Sequence, residues 1–234
     1  MEKKKCTAIV LAAGKGKRMR TKEQKQYLLM AGKPVLYYSL KTFQDSAVID
    51  DIYLVTGSGD EEYCRRQIVD RYGFTKVSHI LHGGAERYHS VWNALKEMTE
   101  EGYVFIHDGA RPFVDEAMLV RAYENVEKYG ACVVGMPVKD TIKIVDENQN
   151  VIDTPKRDKV WIVQTPQVFD AALVKNAYAD LIESGISNVT DDAMVVEQVS
   201  GYPVKLIEGS YENIKITTPE DLQIGEMFAE HRNY

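Results

Sequence analysis

The length, composition and charge of the chain limit what it can be. With 234 residues, 44% of them hydrophobic and 27% charged, the chain can bury the core of one large domain. Its formal net charge of -6 argues against general nucleic-acid binding, which usually needs a basic face. The apolar runs are far shorter than the roughly 20 residues that span a bilayer.

The apolar runs, taken in chain order, predict six strands. They are short, continuously apolar and often β-branched, which is typical of strands covered on both faces. They span residues 6–12, 51–56, 78–82, 103–107, 131–136 and 160–164. Apolar residues at helical spacing predict helices near 88–98, 119–129 and 174–181, and "TTPEDL" predicts a last helix capped by Thr218. The alternation predicts an α/β fold with three layers and a doubly wound, mostly parallel sheet, in a single domain over 1–234.

One segment breaks this alternation. Residues 138–158, "VKDTIKIVDENQNVIDTPKRD", contain two short β-like stretches around a polar turn. The segment is too polar for a pair of core strands, so we predict a β-hairpin or arm that stands off the domain.

The three cysteines indicate a reducing compartment. Cys6, Cys64 and Cys132 lie far apart, and an odd number without pair spacing argues against a disulfide framework or a zinc site. We expect reduced core thiols in a cytoplasmic protein.

Three unusual loops follow predicted strands and should therefore share one edge of the sheet. They are "AAGKGKRM" after the first strand, "GGAERYHS" after the third and "DGARP" after the fourth. Open parallel sheets bind ligands at the carboxyl ends of their strands. We therefore expect these loops to form one site.

The first loop carries an unusual density of positive charge, which comes from Lys15, Lys17, Arg18, Arg20, Lys22 and Lys25. It does not match the P-loop pattern, and it has only the first two glycines of the dinucleotide-binding pattern. Glycines that let backbone amides approach a ligand, together with several cations, suit a triphosphate. The alternative is a solvated basic turn.

The remaining candidates are ambiguous when taken singly. Asp108 follows an apolar strand and is either a turn cap or a carboxylate that holds magnesium between phosphates. His107 is more typical of a packed strand residue than of a ligand. "TDDA", residues 190–193, is a strong helix start, and Lys215 has no pattern that distinguishes it from a solvated lysine.

Eight motifs together carry a family resemblance that none carries alone. They are "AAGKGKRM", "KQYL", "GGAERYHSVWNAL", "HDGARPFV", "DTIK", "QTPQVF", "TDDA" and "NIKITTPEDL", in order from about residue 7 to residue 222. The chain resembles the 2-C-methyl-D-erythritol 4-phosphate cytidylyltransferase family. The resemblance implies a nucleotidyltransferase-like domain of Rossmann type and the transfer of a cytidylyl group from CTP to methylerythritol phosphate, with Mg2+, in non-mevalonate isoprenoid biosynthesis.

The resemblance also implies roles for the positions that match the family's motifs. The implied CTP-binding residues are Ala12, Ala13, Gly14, Gly84, Ala85, Ser90 and Asp108. The implied catalytic residues are Arg18, Lys25 and Lys215. The implied acceptor-binding residues are Asp108, Arg111, Thr141, Arg157, Thr165 and Thr190, and Asp108 is the candidate metal ligand. Thr141 and Arg157 lie on the arm, which in the family joins a homodimer and reaches the acceptor phosphate in the partner's site.

Two departures and two alternatives accompany the resemblance. Gly109 stands where alanine is common, and "EQKQYL" lacks the proline often found before the lysine. A related enzyme, ribitol 5-phosphate cytidylyltransferase, shares the basic triphosphate loop and the fold, although "GGAERYHSVWNAL" with "QTPQVF" favours the methylerythritol enzyme. A nucleotide-binding regulator without turnover is the other alternative, and the presence of both Lys25 and Lys215 argues against it.

Overall fold

A computed structural model describes residues 3–14, 16, 19, 24–186 and 188–232. Its strands, β1 to β11 in chain order, are Cys6–Ala12, Leu29–Met30, Lys33–Pro34, Asp51–Thr56, Val77–His82, Tyr103–Asp108, Ala131–Pro137, Ile144–Val145, Val151–Asp153, Trp161–Asp170 and Lys205–Glu208. Its α-helices, α1 to α7, are Val35–Asp45, Glu61–Cys64, Arg87–Glu97, Glu116–Tyr129, Ala171–Ser184, Asp192–Val195 and Pro219–His231. Helices α2 and α6 continue as the π-helical segments Arg65–Asp70 and Val196–Ser200, and a short 3-10 turn spans Arg157–Lys159.

Seven of the described strands form a central sheet in the order β11-β7-β10-β6-β1-β4-β5. The neighbours are parallel except at β10, which runs antiparallel to both β6 and β7. The prediction of a mostly parallel, doubly wound sheet is therefore confirmed. The sheet places the carboxyl ends of β1 and β6 side by side, since Leu11 lies opposite Asp108 in the register.

The predicted strands all occur, with three differences. The strand predicted over 160–164 extends over Trp161–Asp170, and strands β2, β3 and β11 were not predicted. The expectation that every strand is covered on both faces is wrong for β5, which lies at the sheet edge and is only partly buried. An edge strand has a neighbour on one side only, so its side chains stay more accessible.

Helices cover both faces of the sheet, as three layers require. Along β1, Ala8 and Val10 belong to a core cluster with α1 and α4, whereas Ile9 belongs to the opposite cluster with α3 and α5. This alternation follows from the two-residue period of a strand. No helix in the described part of the chain is both long enough and apolar enough to cross a membrane.

The predicted arm is a hairpin. Strands β8 and β9 pair antiparallel around a turn in which Asp146 accepts hydrogen bonds from the amides of Asn148 and Asn150. Its apolar side chains face solvent in the single chain: Val151 is 57% exposed and Ile152 65%.

The helix caps and the state of the cysteines are as the sequence predicts. Thr218 caps α7 with Pro219 in the first turn, and Asp191 caps α6 by accepting from the amide of Met194. The three cysteines are buried free thiols.

Candidate active site

A cavity of about 510 Å³ lies at the carboxyl ends of the parallel strands. The three glycine-containing and charged loops after β1, β5 and β6 all contribute to its wall, as the sheet geometry predicts. The lining includes the predicted residues Ala12, Ala13, Gly14, Lys25, Gly84, Ala85, Ser90, Asp108 and Lys215.

Two glycines lie where the chain packs too closely for a side chain: Gly83, where the first two loops meet, and Gly84, where the second loop meets α3. A Cβ atom on Gly83 would lie 2.4 Å from the Cβ of Ala13, and one on Gly84 would lie 2.3 Å from the Cβ of His89. The Gly84 amide donates to the Ser90 hydroxyl at 3.0 Å, which fixes the second loop onto the start of α3. These close approaches require glycine at both positions, and Gly84 itself lines the cavity.

A second cavity of about 300 Å³ adjoins the first. The predicted acceptor residues Arg111, Thr165 and Thr190 line it. Asp108, Lys215 and Arg87 line both cavities, so they form a shared wall. A group bound in one cavity and a group bound in the other would meet at this wall.

Asp108 is the electrostatic centre of the shared wall. Its Oδ2 accepts from the Nζ of Lys215 at 2.7 Å, and its Oδ1 faces the Nε of Arg87 at 3.3 Å. Burial alone would raise the pKa of this carboxyl, but the positive charges of Arg87, Lys215 and Arg111 outweigh burial and hold the pKa well below its usual range. Asp108 is therefore ionised across the physiological range.

The two predicted catalytic lysines approach the site from different segments. Lys215 comes from the irregular segment before α7, and Lys25 from the end of the basic loop. The Nζ of Lys25 donates at 3.1 Å to the carbonyl of Ile216, the residue that follows Lys215. This contact keeps two positive charges on one rim of the larger cavity.

Arg111 is held without a carboxylate. Its Nη1 donates to the carbonyl of Asn213 at 2.7 Å, and its Nη2 lies 3.4 Å from the carbonyl of Val163. Among the described residues, no acidic side chain forms an ion pair with Arg111, and its Nε is buried without a hydrogen-bond partner. The second cavity therefore carries a positive charge suited to an anion.

His107 fixes the loop that carries Asp108 and Arg111. The carbonyl of Arg111 can only accept, so the Nε2 of His107, 3.0 Å away, carries the proton. The hydroxyl of Thr165 then donates to Nδ1 at 3.0 Å and accepts from the amide of Asp108 at 3.1 Å. The side chain of His107 is completely buried, which confirms the prediction of a packed strand residue.

Some predicted site residues lie elsewhere. Within the described part of the chain, Thr141 and Arg157 line neither cavity; both lie exposed on or beside the arm, and Nη1 of Arg157 donates to the carbonyl of Lys139. A single chain does not bring them to the acceptor side, so their role across a dimer stays a prediction. Arg18, predicted as catalytic, lies outside the described residues, as do Lys15, Lys17, Arg20 and Lys22.

The sequence analysis did not single out Arg87 and Asp192. Arg87 lies within "GGAERYHS" and Asp192 within "TDDA", both of which the motif analysis quoted. The signal available for Arg87 was the position of its loop at the predicted ligand edge, and for Asp192 it was the neighbouring Thr190, which the resemblance implies as acceptor-binding. Spacing alone could not show that the two side chains form an ion pair in which the carboxylate is completely buried.

Gly109, a departure from the family pattern, fits its surroundings. A Cβ atom there would lie 2.7 Å from Cδ1 of Leu36 and 3.0 Å from the carbonyl oxygen of Leu11. Alanine at position 109 would therefore require Leu36 to move. Glycine leaves room for the leucine side chain.

The fold is that of an α/β nucleotidyltransferase, and two adjoining cavities with a charged common wall lie at the ends of its strands. The family model described as 2-C-methyl-D-erythritol 4-phosphate cytidylyltransferase (IspD) matches residues 6–231, and the chain belongs to this family. The resemblance found in the motifs is thus confirmed.

The similarity to curated relatives and to solved structures extends over nearly the whole chain. The 2-C-methyl-D-erythritol 4-phosphate cytidylyltransferase of Lachnospira eligens is 49% identical over 95% of this chain and 98% of its own. The crystal structure of 4-diphosphocytidyl-2C-methyl-D-erythritol synthase from Anaerococcus prevotii has a TM-score of 0.85 at 34% identity, covering 97% of this chain and 96% of its own. The cytidylyltransferase structure from Thermus thermophilus has a TM-score of 0.76 at 32% identity, covering 95% of this chain and 98% of its own.

Proposed function

We propose that the protein transfers a cytidylyl group from CTP to 2-C-methyl-D-erythritol 4-phosphate, giving 4-diphosphocytidyl-2-C-methyl-D-erythritol and pyrophosphate in non-mevalonate isoprenoid biosynthesis. The observation that carries the proposal is the wall of Asp108 and Lys215 shared by two cavities, in a chain of this family. A transferase needs its two substrates side by side with the reacting atoms at a common boundary.

The larger cavity would hold CTP. The backbone of Ala12, Ala13 and Gly14 would receive the triphosphate, because glycine-rich turns expose amides to phosphate oxygens. The loop containing Gly84 and Ser90 would surround cytosine and ribose. Pyrophosphate would leave on the side of the loop after β1.

The smaller cavity would hold the acceptor. Arg111, which pairs with no carboxylate in the described part of the chain, would attract the acceptor's anionic phosphate. Thr190 would face the polyol. The hydroxyl of Thr165 is already engaged with His107 and Asp108, so it would act chiefly by shaping the loop.

The chemistry requires charge stabilisation rather than a general base. The acceptor phosphate is already an anion at neutral pH, since its second pKa is about 6. The obstacle is the approach of one phosphate to another. Lys25 and Lys215 would stabilise the charge that grows around the α-phosphate, and the two cavities would hold the reactants in line.

Magnesium fits the site through a single carboxylate. No group of three or more His, Cys, Asp or Glu side chains in the described chain could hold a metal on its own. Mg2+ commonly takes one or two carboxylates together with substrate phosphates and waters, and the ionised Asp108 offers such an oxygen at the shared wall. When bound, the ion would neutralise charge on the triphosphate.

The arm would complete the acceptor site of a second subunit. Its apolar residues Ile144, Val145, Val151 and Ile152 are exposed in the single chain, which is costly for a hairpin in water. Thr141 and Arg157 lie on or beside this arm and away from both cavities of their own chain. We therefore propose a homodimer in which each arm carries Arg157 to the partner's acceptor phosphate.

Three acceptor conditions test the function. Purified protein with CTP and Mg2+ is assayed for pyrophosphate with methylerythritol phosphate, with ribitol 5-phosphate and with no acceptor. The proposal expects rapid release with methylerythritol phosphate and much slower release in the other two. Equal or faster release with ribitol 5-phosphate would contradict the proposed acceptor, and no release in any condition would contradict the proposed activity.

The buried free thiols support a cytoplasmic location.

A further inference from the structure

Arg87 joins three parts of the site that the chain brings together from distant positions. It is the first residue of α3, directly after the loop that closes the nucleotide cavity. Its Nη1 and Nη2 donate to Oδ1 and Oδ2 of Asp192, both at 2.7 Å, and its Nε faces Oδ1 of Asp108 at 3.3 Å. One planar guanidinium thus binds two carboxylates on two different elements.

The carboxylate of Asp192 is buried and fully engaged, whereas the side chain of Arg87 is 29% exposed. The side chain of Asp192 is 0% exposed, and it also accepts from the hydroxyl of Tyr178 at 2.5 Å. A carboxylate in such a place requires a charged partner, because an unpaired buried charge is strongly unfavourable. Arg87 therefore determines where the first residue of α6 lies.

The position of Asp192 fixes the wall of the acceptor cavity. Thr190 and Asp191, the two residues before it, line that cavity. From the other side, Gln167 of β10 donates to Asp191 at 3.0 Å and accepts from the amide of Ala193 at 2.8 Å. The segment is thus clamped between Gln167 and the guanidinium of Arg87.

We propose that Arg87 is a positioning residue for the transfer: it locks the 190–193 segment and the Asp108 carboxylate to the nucleotide loop, so that the acceptor lies correctly against bound CTP. The inference rests on the proposed function and adds to it a residue that acts through Asp108 and Asp192. Lysine cannot replace it, because one ammonium group cannot bind two carboxylates with the geometry of the fork.

The consequence is unequal for the two substrates. Arg87 lines both cavities, but its side-chain hydrogen bonds in the described part of the chain go to Asp108 and Asp192, and none goes to residues 12–14 or 16 of the loop after β1. Loss of the guanidinium should therefore affect the acceptor much more than CTP. A residue that served only to hold the fold together would affect both substrates alike.

Three variants and a matched control test the inference. Arg87→Met leaves Asp192 unpaired and risks misfolding, so the main variant is the double Arg87→Met/Asp192→Asn, which removes both charges. Arg87→Lys keeps the charge without the fork. Lys96→Met removes an exposed positive charge from the same helix and is the control. Each protein is checked by circular dichroism and thermal unfolding before kinetics.

We expect the double variant to lose about 10- to 100-fold in kcat/KM for the acceptor while its KM for CTP stays within about threefold of wild type. The kcat/KM of Arg87→Lys for the acceptor should lie between those of the double variant and wild type. Lys96→Met should match wild type. The inference is overturned if the folded double variant keeps wild-type constants, if both substrates are affected equally, or if neither the double variant nor Arg87→Lys folds. Wild-type turnover in the same assay tests the proposed function separately, since the inference concerns only ratios to that rate.

Discussion

Replacing His107 by glutamine should make folding less sensitive to acid. Burial, which outweighs the neighbouring Asp108 carboxylate and the hydrogen bond to Arg111, lowers the pKa of His107 from 6.5 to about 4. Below pH 6.5 the unfolded chain therefore takes up a proton at this residue that the folded chain refuses. The folded state loses stability as the pH falls from 6.5 towards 4.

The size of this loss follows from the gap between the two pKa values. At pH 5 the unfolded histidine is almost fully protonated and the folded one is still mostly neutral. With about 1.4 kcal/mol for each pKa unit, the contribution of His107 to the unfolding free energy falls by about 2 kcal/mol between pH 7 and pH 5. Glutamine can still donate to the carbonyl of Arg111 but does not titrate.

Urea unfolding followed by circular dichroism, without nucleotide or metal, measures the effect. The unfolding free energy is determined at pH 7 and pH 5 for wild type, for His107→Gln and for His82→Gln, whose side chain is exposed. The decrease on acidification should be about 2 kcal/mol smaller in His107→Gln than in wild type. A difference below about 0.5 kcal/mol, with His82→Gln behaving like wild type, would refute the reasoning about the buried ring.

Three further predictions concern catalysis. Lys25→Ala should lose about 100- to 1000-fold in turnover, or about 3–4 kcal/mol, with only a modest loss of CTP binding, and near-normal turnover would refute its role. ATP should be rejected more strongly than UTP, because a pocket shaped for a pyrimidine excludes purines by size; similar turnover with ATP and CTP would contradict this. Mixing inactive Arg157→Ala with inactive Lys25→Ala should restore activity at up to half the sites of mixed dimers, and no recovery after exchange verified by mass would exclude a shared site.

The sequence predicts the fold best where strands are buried on both faces. Strands such as β1 and β6 appear as continuous apolar runs, because helices cover them above and below. Strand β10 is longer than predicted, since Pro166 interrupts its pattern, and its antiparallel direction has no signature in the sequence. Strand β11 escapes prediction because only Ile207 of its four residues is buried.

The sequence predicts the location of the site better than the side-chain contacts within it. Sheet geometry alone brings the three loops to one edge, and the larger cavity is indeed formed by all three. The pairing of Arg87 with Asp192 joins residues 105 positions apart, and it depends on how α3 and α6 pack against the same face. Tertiary packing of this kind has no local periodicity to indicate it.

We infer that CTP and the acceptor phosphate react directly with each other across the wall of Asp108 and Lys215. Phosphorus NMR of one mixture of protein, CTP, Mg2+ and methylerythritol phosphate measures this directly. We expect the signals of CTP and of the acceptor monoester to decline together, while pyrophosphate and a new diphosphate diester appear in equal amounts. Consumption of CTP with the acceptor left unchanged, or no new diester under conditions in which the protein is folded and binds CTP, would contradict the account.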